Sequence, residues 1–344
     1  MKKITLFLLI FLIIFSTTTL ADRGSIPFTA GVNIFEPSQD ALIAWNGEEQ
    51  ILILSTELYA SDKTKVLQVL PLPAEPEIKE SSRDLLRRAN EYLFRHKLNE
   101  ISQPVLRSSR SDILPGGEIK QEVVIGSHDI SVVEVLNQNE FVNWVNHHLR
   151  EKGEDNPTVP DNLQRIINNY IDRGYNYFVF DTIEVGAESE FNEAIYYRFE
   201  SDHLYYPLEI TQGDHGVSDI RLIIVSDQSL INYSGLRPER VNILDGPTKI
   251  NYGDLSYIST DISKIFFGTD RDDSLKDNPV RIATWQIVDD LNNFDQDLLV
   301  NSNLAALKEN EMIYQGRRYV DVRKDPDYPY QVEKNTTKMS GKVY

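Results

Sequence analysis

Residues 121–135, QEVVIGSHDISVVEV, set His128 beside Asp129 in a run of alternating apolar residues. A histidine supplied with a carboxylate is the material of general acid–base catalysis, because the carboxylate orients the ring and stabilises its charged form. A second pair, Asp214 and His215, falls in QGDHGVSD, a loop-like stretch after an expected strand. Loops carry function disproportionately. If His128, Asp129, Asp214 and His215 met in one pocket, they would make a hydrolase site with a serine or a water as nucleophile. Backbone geometry limits the first pair. In extended chain, neighbouring side chains point to opposite faces, so His128 and Asp129 diverge. If 126–129 is a turn, Ser127 and Asp129 have ordinary turn roles. Either way a catalytic His128 needs a partner from elsewhere in the chain.

Two further clusters invite a metal. His147 and His148 are adjacent on an expected helix, about 100° apart, whereas helical ligand pairs sit three or four residues apart. The acidic loop TDRDDSLKDNP puts Asp270 and Asp272 at the first two ligand positions of a calcium loop. Leu275 then stands where that loop needs glycine, and Arg281 where it needs the closing glutamate. A looser calcium site through Asp270, Asp272 and Asp273 is the remaining metal expectation, and no other cofactor is expected. Phosphate-cradling loops, a nucleophile elbow and a zinc-protease helix are absent from the sequence.

Composition narrows the setting. The chain opens with Lys2 and Lys3, an apolar run from Ile4 to Phe15 and the small-residue site Thr19-Leu20-Ala21, the layout of a secretory signal. The run is short against the roughly 20 residues a spanning helix needs, so cleavage after Ala21 is expected and membrane attachment only if the segment is retained. The formal net charge is -18, and removal of the two lysines takes it to -20. Such a surface repels nucleic acid and anionic lipid. Zero cysteines exclude disulfides, a thiol nucleophile and a thiolate zinc site, so the fold must rest on its core.

The elements that position these residues come next. DALIAWNGEEQILILSTEL reads as strands 40–45 and 49–56 around Asn46-Gly47, a strong hairpin signal, and TKVLQVLPLP as a third strand completing a meander. Helices are expected in SSRDLLRRANEYLFRHK, with Ser81 and Asp84 as a capping pair, in NQNEFVNWVNHHLREKG and in PDNLQRIINNYIDRG. The run YNYFVFDTIEV reads as a buried central strand, and EAIYYRFES, YYPLEIT and IRLIIVSD as three more. Tyr196, Tyr197, Tyr205 and Tyr206 suit either a sugar-stacking surface or half-buried cross-strand pairs. YGDLSYISTDISKIFFG has helical spacing, and VRIATWQIVDDLNNFDQDLL is expected to be another helix ending near Asn292. The fold class is therefore α+β: an N-terminal antiparallel meander with a helix over 22–100, then an α+β region over 118–322. In that region a mostly antiparallel sheet carries helices on one face. The boundary near 100–118 is soft, and the tail 323–344 is expected to be disordered.

Several stretches together resemble a known family. ADRGSIPF, EPSQDALIAWNGEEQILILST, KVLQVLPLPAEP, GSHDISVVEV, GYNYFVFDTIEV and YYRFESDHLYYPLEIT occur in this order. The chain resembles the prokaryotic exported proteins called domain of unknown function 2330, over residues 22 to about 225. The resemblance implies a signal-bearing envelope or extracellular protein, and it supplies no activity, cofactor or catalytic residue. The expectation is an exported protein, periplasmic, cell-surface or extracellular, acting as a non-catalytic binding or structural module. Its partner would be an envelope protein, a peptide or a glycan. The alternatives are the hydrolase through His128, Asp129, Asp214 and His215, and a calcium-stabilised surface module.

Overall fold

A computed structural model describes residues 24–29, 31–95, 117–153, 159–188, 190–191, 193–213, 216–268, 279–301, 312–315 and 318–321. The chain builds β1 (Gly24–Pro27), β2 (Ile34–Trp45), β3 (Glu49–Ala60), β4 (Thr64–Leu72), β5 (Glu77–Glu80) and α1 (Arg83–Arg95). There follow β6 (Gly117–Ile125), β7 (His128–Val135), α2 (Gln138–Glu151), α3 (Asp161–Asp172), β8 (Tyr177–Val185), β9 (Glu190–Phe191), β10 (Ile195–Glu200) and β11 (Leu204–Tyr206). The remainder is β12 (Val217–Ser226), β13 (Asn232–Tyr233), β14 (Asn242–Lys249), α4 (Tyr252–Ile258), α5 (Thr260–Phe267), β15 (Arg281–Asp290), β16 (Leu298–Asn301), β17 (Met312–Gln315) and β18 (Arg318–Asp321).

Local chemistry explains the main joints. Asn46 turns the chain between β2 and β3 by accepting hydrogen bonds from the backbone of Glu48 and Glu49 on its side-chain oxygen. Gly47 takes the positive φ that this turn requires. Asn137 caps α2 through the backbone N–H of Asn139. At α1 the capping oxygen belongs to Ser82, which accepts from Asp84 N at 3.1 Å, rather than to Ser81. The helical spacing across 252–267 is broken at Ser259, which is extended (φ −156°) and caps α5 through Ile262 N, so one run becomes two helices.

Two main sheets stack between layers of helix. The first has the order β1-β4-β8-β7-β6, and the second β14-β15-β12-β2-β3-β10-β5, with β9 added on β3. Among the described residues every pairing is antiparallel except β2 with β12. The apolar cluster between the sheets joins Ile43, Leu52 and Trp285 of one to Leu70, Ile130 and Val179 of the other. The outer face of the five-stranded sheet carries α2 and α3 through Trp144, Leu149, Ile167 and Tyr170. The outer face of the eight-stranded sheet carries α1, α4 and α5 through Leu86, Leu255 and Ile262. A small sheet, β11-β16-β13, adds Leu204, Tyr205, Leu298 and Val300 to the apolar cluster between the sheets. The architecture is α+β, as the order of hairpins and helices implies.

Further expectations about individual elements change: of the strand expected in YYPLEIT only Tyr205 and Tyr206 lie in β11, because Pro207 ends it and Glu209–Gly213 winds into a 3-10 turn. The third strand of the expected meander, β4, forms as a strand but crosses to the five-stranded sheet, pairing with β1 and β8. The stretch 281–290 is a strand and not a helix. As β15 it lies between β12 and β14 and buries Trp285 and Ile287 against one core and Ile282 against another. A central strand covered on both faces reads as a continuous apolar run and loses the alternation that distinguishes it from a helix. No helix among the described residues is long and apolar enough to cross a membrane.

Candidate functional site

The β6–β7 hairpin turns at Gly126 and Ser127, with Gly126 at φ +56° and Ile125 paired to His128 across the turn. Alternation along β7 then sends His128, Ile130 and Val132 into the space between the sheets and Asp129 outward. Neighbouring β8 sets Asp181 opposite Ile130, one step diagonally from His128. The His128 Nδ1 lies 2.7 Å from Asp181 Oδ2, with both side chains only 2% exposed. An ionised carboxylate can only accept, so Nδ1 carries the proton and donates. The other ring nitrogen, Nε2, is buried and makes no hydrogen bond among the described residues. It faces Glu193 Oε2 at 3.7 Å.

Glu193 sits in the short link between β9 and β10 and is 46% exposed. Ser127 Oγ donates to the same Oε2 at 2.8 Å. A Cβ on Gly126 would fall on the Glu193 carboxylate, so glycine at 126 leaves room for this contact as well as allowing the turn. Burial pushes the Glu193 carboxyl up, but its own backbone N–H, Ser127 and the His128 ring together hold it below the usual range. The result is a chain of side chains, Asp181–His128–Glu193–Ser127, running from the buried inter-sheet layer to the surface.

The sequence-predicted residues are distributed as follows. His128 and Asp129 diverge, as an extended chain requires. Asp129 binds Lys152 Nζ through both oxygens at 2.8 Å on the opposite face of the sheet, with Glu122 4.0 Å from the same amine. Asp214 and His215 lie outside the described residues, as do Asp270, Asp272 and Asp273. The partner missed at the sequence level is Asp181. Its one signal is the acid that directly follows the aromatic run YFVF, where a buried carboxylate requires a hydrogen-bonding companion. Chemically, the Asp181–Nδ1 bond leaves Nε2 as the basic nitrogen, the arrangement used by general bases. That nitrogen is covered by Glu193, and Ser127 is bonded to Glu193 rather than to the ring.

The helical histidines divide between core and surface. His148 is buried and stacks on Trp144, with ring centroids 5.1 Å apart, and lies against Phe180. Burial, aided by nearby Lys152, pulls its pKa down to about 4. His147 is exposed, 3.5 Å from Glu151. Among the described residues no three His, Asp or Glu side chains converge to hold a metal ion. Tyr196, Tyr197, Tyr205 and Tyr206 are all buried, so they make core contacts and offer no stacking surface.

One buried acid has a structural part. Asp297, just before β16, accepts from Tyr170 Oη at 2.5 Å and from the backbone N–H of Leu208 and Glu209 at 2.8 and 2.9 Å. Arg173 lies 3.6 Å from its other oxygen and also binds Glu209. Burial raises the Asp297 carboxyl pKa in spite of these partners. The cluster fixes α3 to the YYPLEIT stretch, where β11 ends and a short 3-10 turn, Glu209–Gly213, begins.

No protein-family model matches the chain, and no curated protein matches it. Among solved structures it is similar to baculovirus P35, with a TM-score of 0.39 and 9% identity over 80% of this chain and 99% of that one. A mutated baculovirus P35 after caspase cleavage aligns with a TM-score of 0.35 and 8% identity over 78% of this chain and 99% of that one. Superposition this loose carries neither a shared site nor a shared function.

Proposed function

We propose that the chain is an exported, non-catalytic binding or structural module of the cell envelope or its exterior, with an envelope protein, a peptide or a glycan as partner. One observation carries the non-catalytic part: the histidine–carboxylate pair His128–Asp181 is 2% exposed on each side, so no substrate reaches the basic nitrogen without displacing Glu193. Export is supported by the basic, apolar and small-residue order of residues 1–21. Thermal unfolding of the purified protein with EDTA, with calcium and against a panel of envelope glycans and peptides tests the reading. A partner specific for the folded state stabilises it by about 2.7 kcal/mol at one hundred times its dissociation constant. A shift with a glycan or peptide identifies the partner class, whereas a shift with calcium moves the reading to the calcium-stabilised module.

A second reading is favoured by the orientation of His128. With Nδ1 held by Asp181, the ring presents Nε2 as a base, and a movement of Glu193 would uncover it. The hydrolase reading requires turnover of an ester or peptide substrate that is lost in His128→Gln. Turnover of that kind would displace the non-catalytic reading.

A further inference from the structure

The two carboxylates that flank His128 come from different sheets. Asp181 belongs to β8 of the five-stranded sheet, on the Nδ1 side at 2.7 Å. Glu193 belongs to the link between β9 and β10, both paired to β3 in the eight-stranded sheet, on the Nε2 side at 3.7 Å. Asp129, the next residue along β7, points the other way and is neutralised by Lys152. Among the described residues, the acids within 4 Å of the ring nitrogens are Asp181 and Glu193. A buried nitrogen with no hydrogen bond among the described residues, aimed at a carboxylate, calls for a physical account. With its lone pair toward Glu193, the neutral ring opposes the carboxylate oxygen. With a proton on Nε2, both ring nitrogens donate, one to each sheet.

We propose that Ser127, His128 and Glu193 form a proton-operated clasp between the two sheets, closed when Nε2 carries a proton. The proton comes from solvent along the Glu193 side, Nδ1 keeps its own proton on Asp181, and no covalent bond changes. Closing replaces a lone-pair contact with a charge-assisted hydrogen bond, which is shorter and stronger than a neutral one. Opening leaves Glu193 held by Ser127 and its own backbone, so the contact between the β6–β7 turn and Glu193 loosens as pH rises.

Amide hydrogen exchange of the full chain, expressed as protection factors to remove the intrinsic pH dependence of exchange, tests the clasp between pH 5 and 8. The backbone N–H groups from Glu193 to Ile195 and those of Ser127 and His128 are the reporters. Protection there is expected to rise at least fivefold from pH 8 to pH 5, while ¹⁵N shifts of His128 report both ring nitrogens protonated at the acid end. Glu193→Gln, a change at a half-exposed side chain, should abolish the pH dependence and leave the fold intact. Ser127→Ala should lower protection about equally at both pH limits. Flat protection in the unmodified protein, an unaltered pH dependence in Glu193→Gln, or a His128 ring that stays neutral at pH 5 would each overturn the proposal.

Discussion

His148 is the residue with the clearest dependence on pH. Its ring stacks on Trp144 and lies tilted against Phe180, and burial keeps it neutral down to about pH 4, against an ordinary histidine value near 6.5. The unfolded chain therefore binds a proton that the folded chain refuses. The sign follows: the neutral-ring contribution is complete above about pH 6.5 and is lost as pH falls toward 4. A separation of that size corresponds to about 3 kcal/mol at the acid limit. Urea unfolding between pH 4 and 7 should show this loss, and His148→Phe, which keeps an aromatic ring in the stack, should remove most of the slope. Asp297 works in the opposite way, through geometry. Asp297→Ala leaves three buried donors, Tyr170 Oη and the N–H groups of Leu208 and Glu209, without their acceptor and should destabilise by roughly 1–3 kcal/mol, the cost of leaving a buried donor unsatisfied. If its denaturation midpoint stayed at the unmodified value, the α3 to β16 connection would not depend on that carboxylate.

At the scale of elements, β15 distinguishes a strand from the helix that its apolar run suggests. Alternation places Trp285 and Ile287 in the core and leaves Val288 48% exposed. Val288→Lys should change stability by no more than about 0.5 kcal/mol, as expected for a surface site, whereas Ile287→Lys should prevent folding. Circular dichroism and expression of the two variants give the answer, and similar damage from both would argue against the strand register. The β6–β7 turn has its own test. Gly126→Ala places a Cβ at a positive φ and against Glu193, so it should cost about 1 kcal/mol or more and displace that side chain. The two helices after residue 251 make a related point, because a single serine in extended conformation interrupts a continuous helical spacing. Serine can either cap a helix or lie within one, and the burial of Ile262, Ile265 and Phe266 of α5 in the cluster with Ile223 and Ile282 selects the cap.

For the whole molecule, the formal charge of -18 is the dominant long-range fact. Like charges repel in the compact state, and salt screens them over roughly 10 Å at 0.1 M. The thermal midpoint should rise when ionic strength is brought from about 0.01 M to that level, although exposed pairs such as Lys63–Glu184 weaken at the same time. A midpoint that falls with salt would mean that surface pairs outweigh net repulsion.

Much of the architecture was legible in the amino-acid order. The Asn46-Gly47 hairpin, the helices over 138–151 and 161–172, the buried strand over 177–185 and the divergence of His128 from Asp129 all follow from local rules: turn conformations, caps and the two side-chain periods. The expected capping at Ser81 was displaced by one residue, a difference that helix-end geometry decides locally. What only the tertiary structure decided was pairing. β4 left its hairpin neighbour for the other sheet, 281–290 became a strand because two strands and two apolar layers surround it, and His128 found Asp181, 53 residues away, in place of the acid beside it. The physical reason is common to all three. Periodicity records which face of an element is apolar, but it carries no record of which other element will cover that face. A buried polar side chain takes its partner from whichever strand the covering brings alongside.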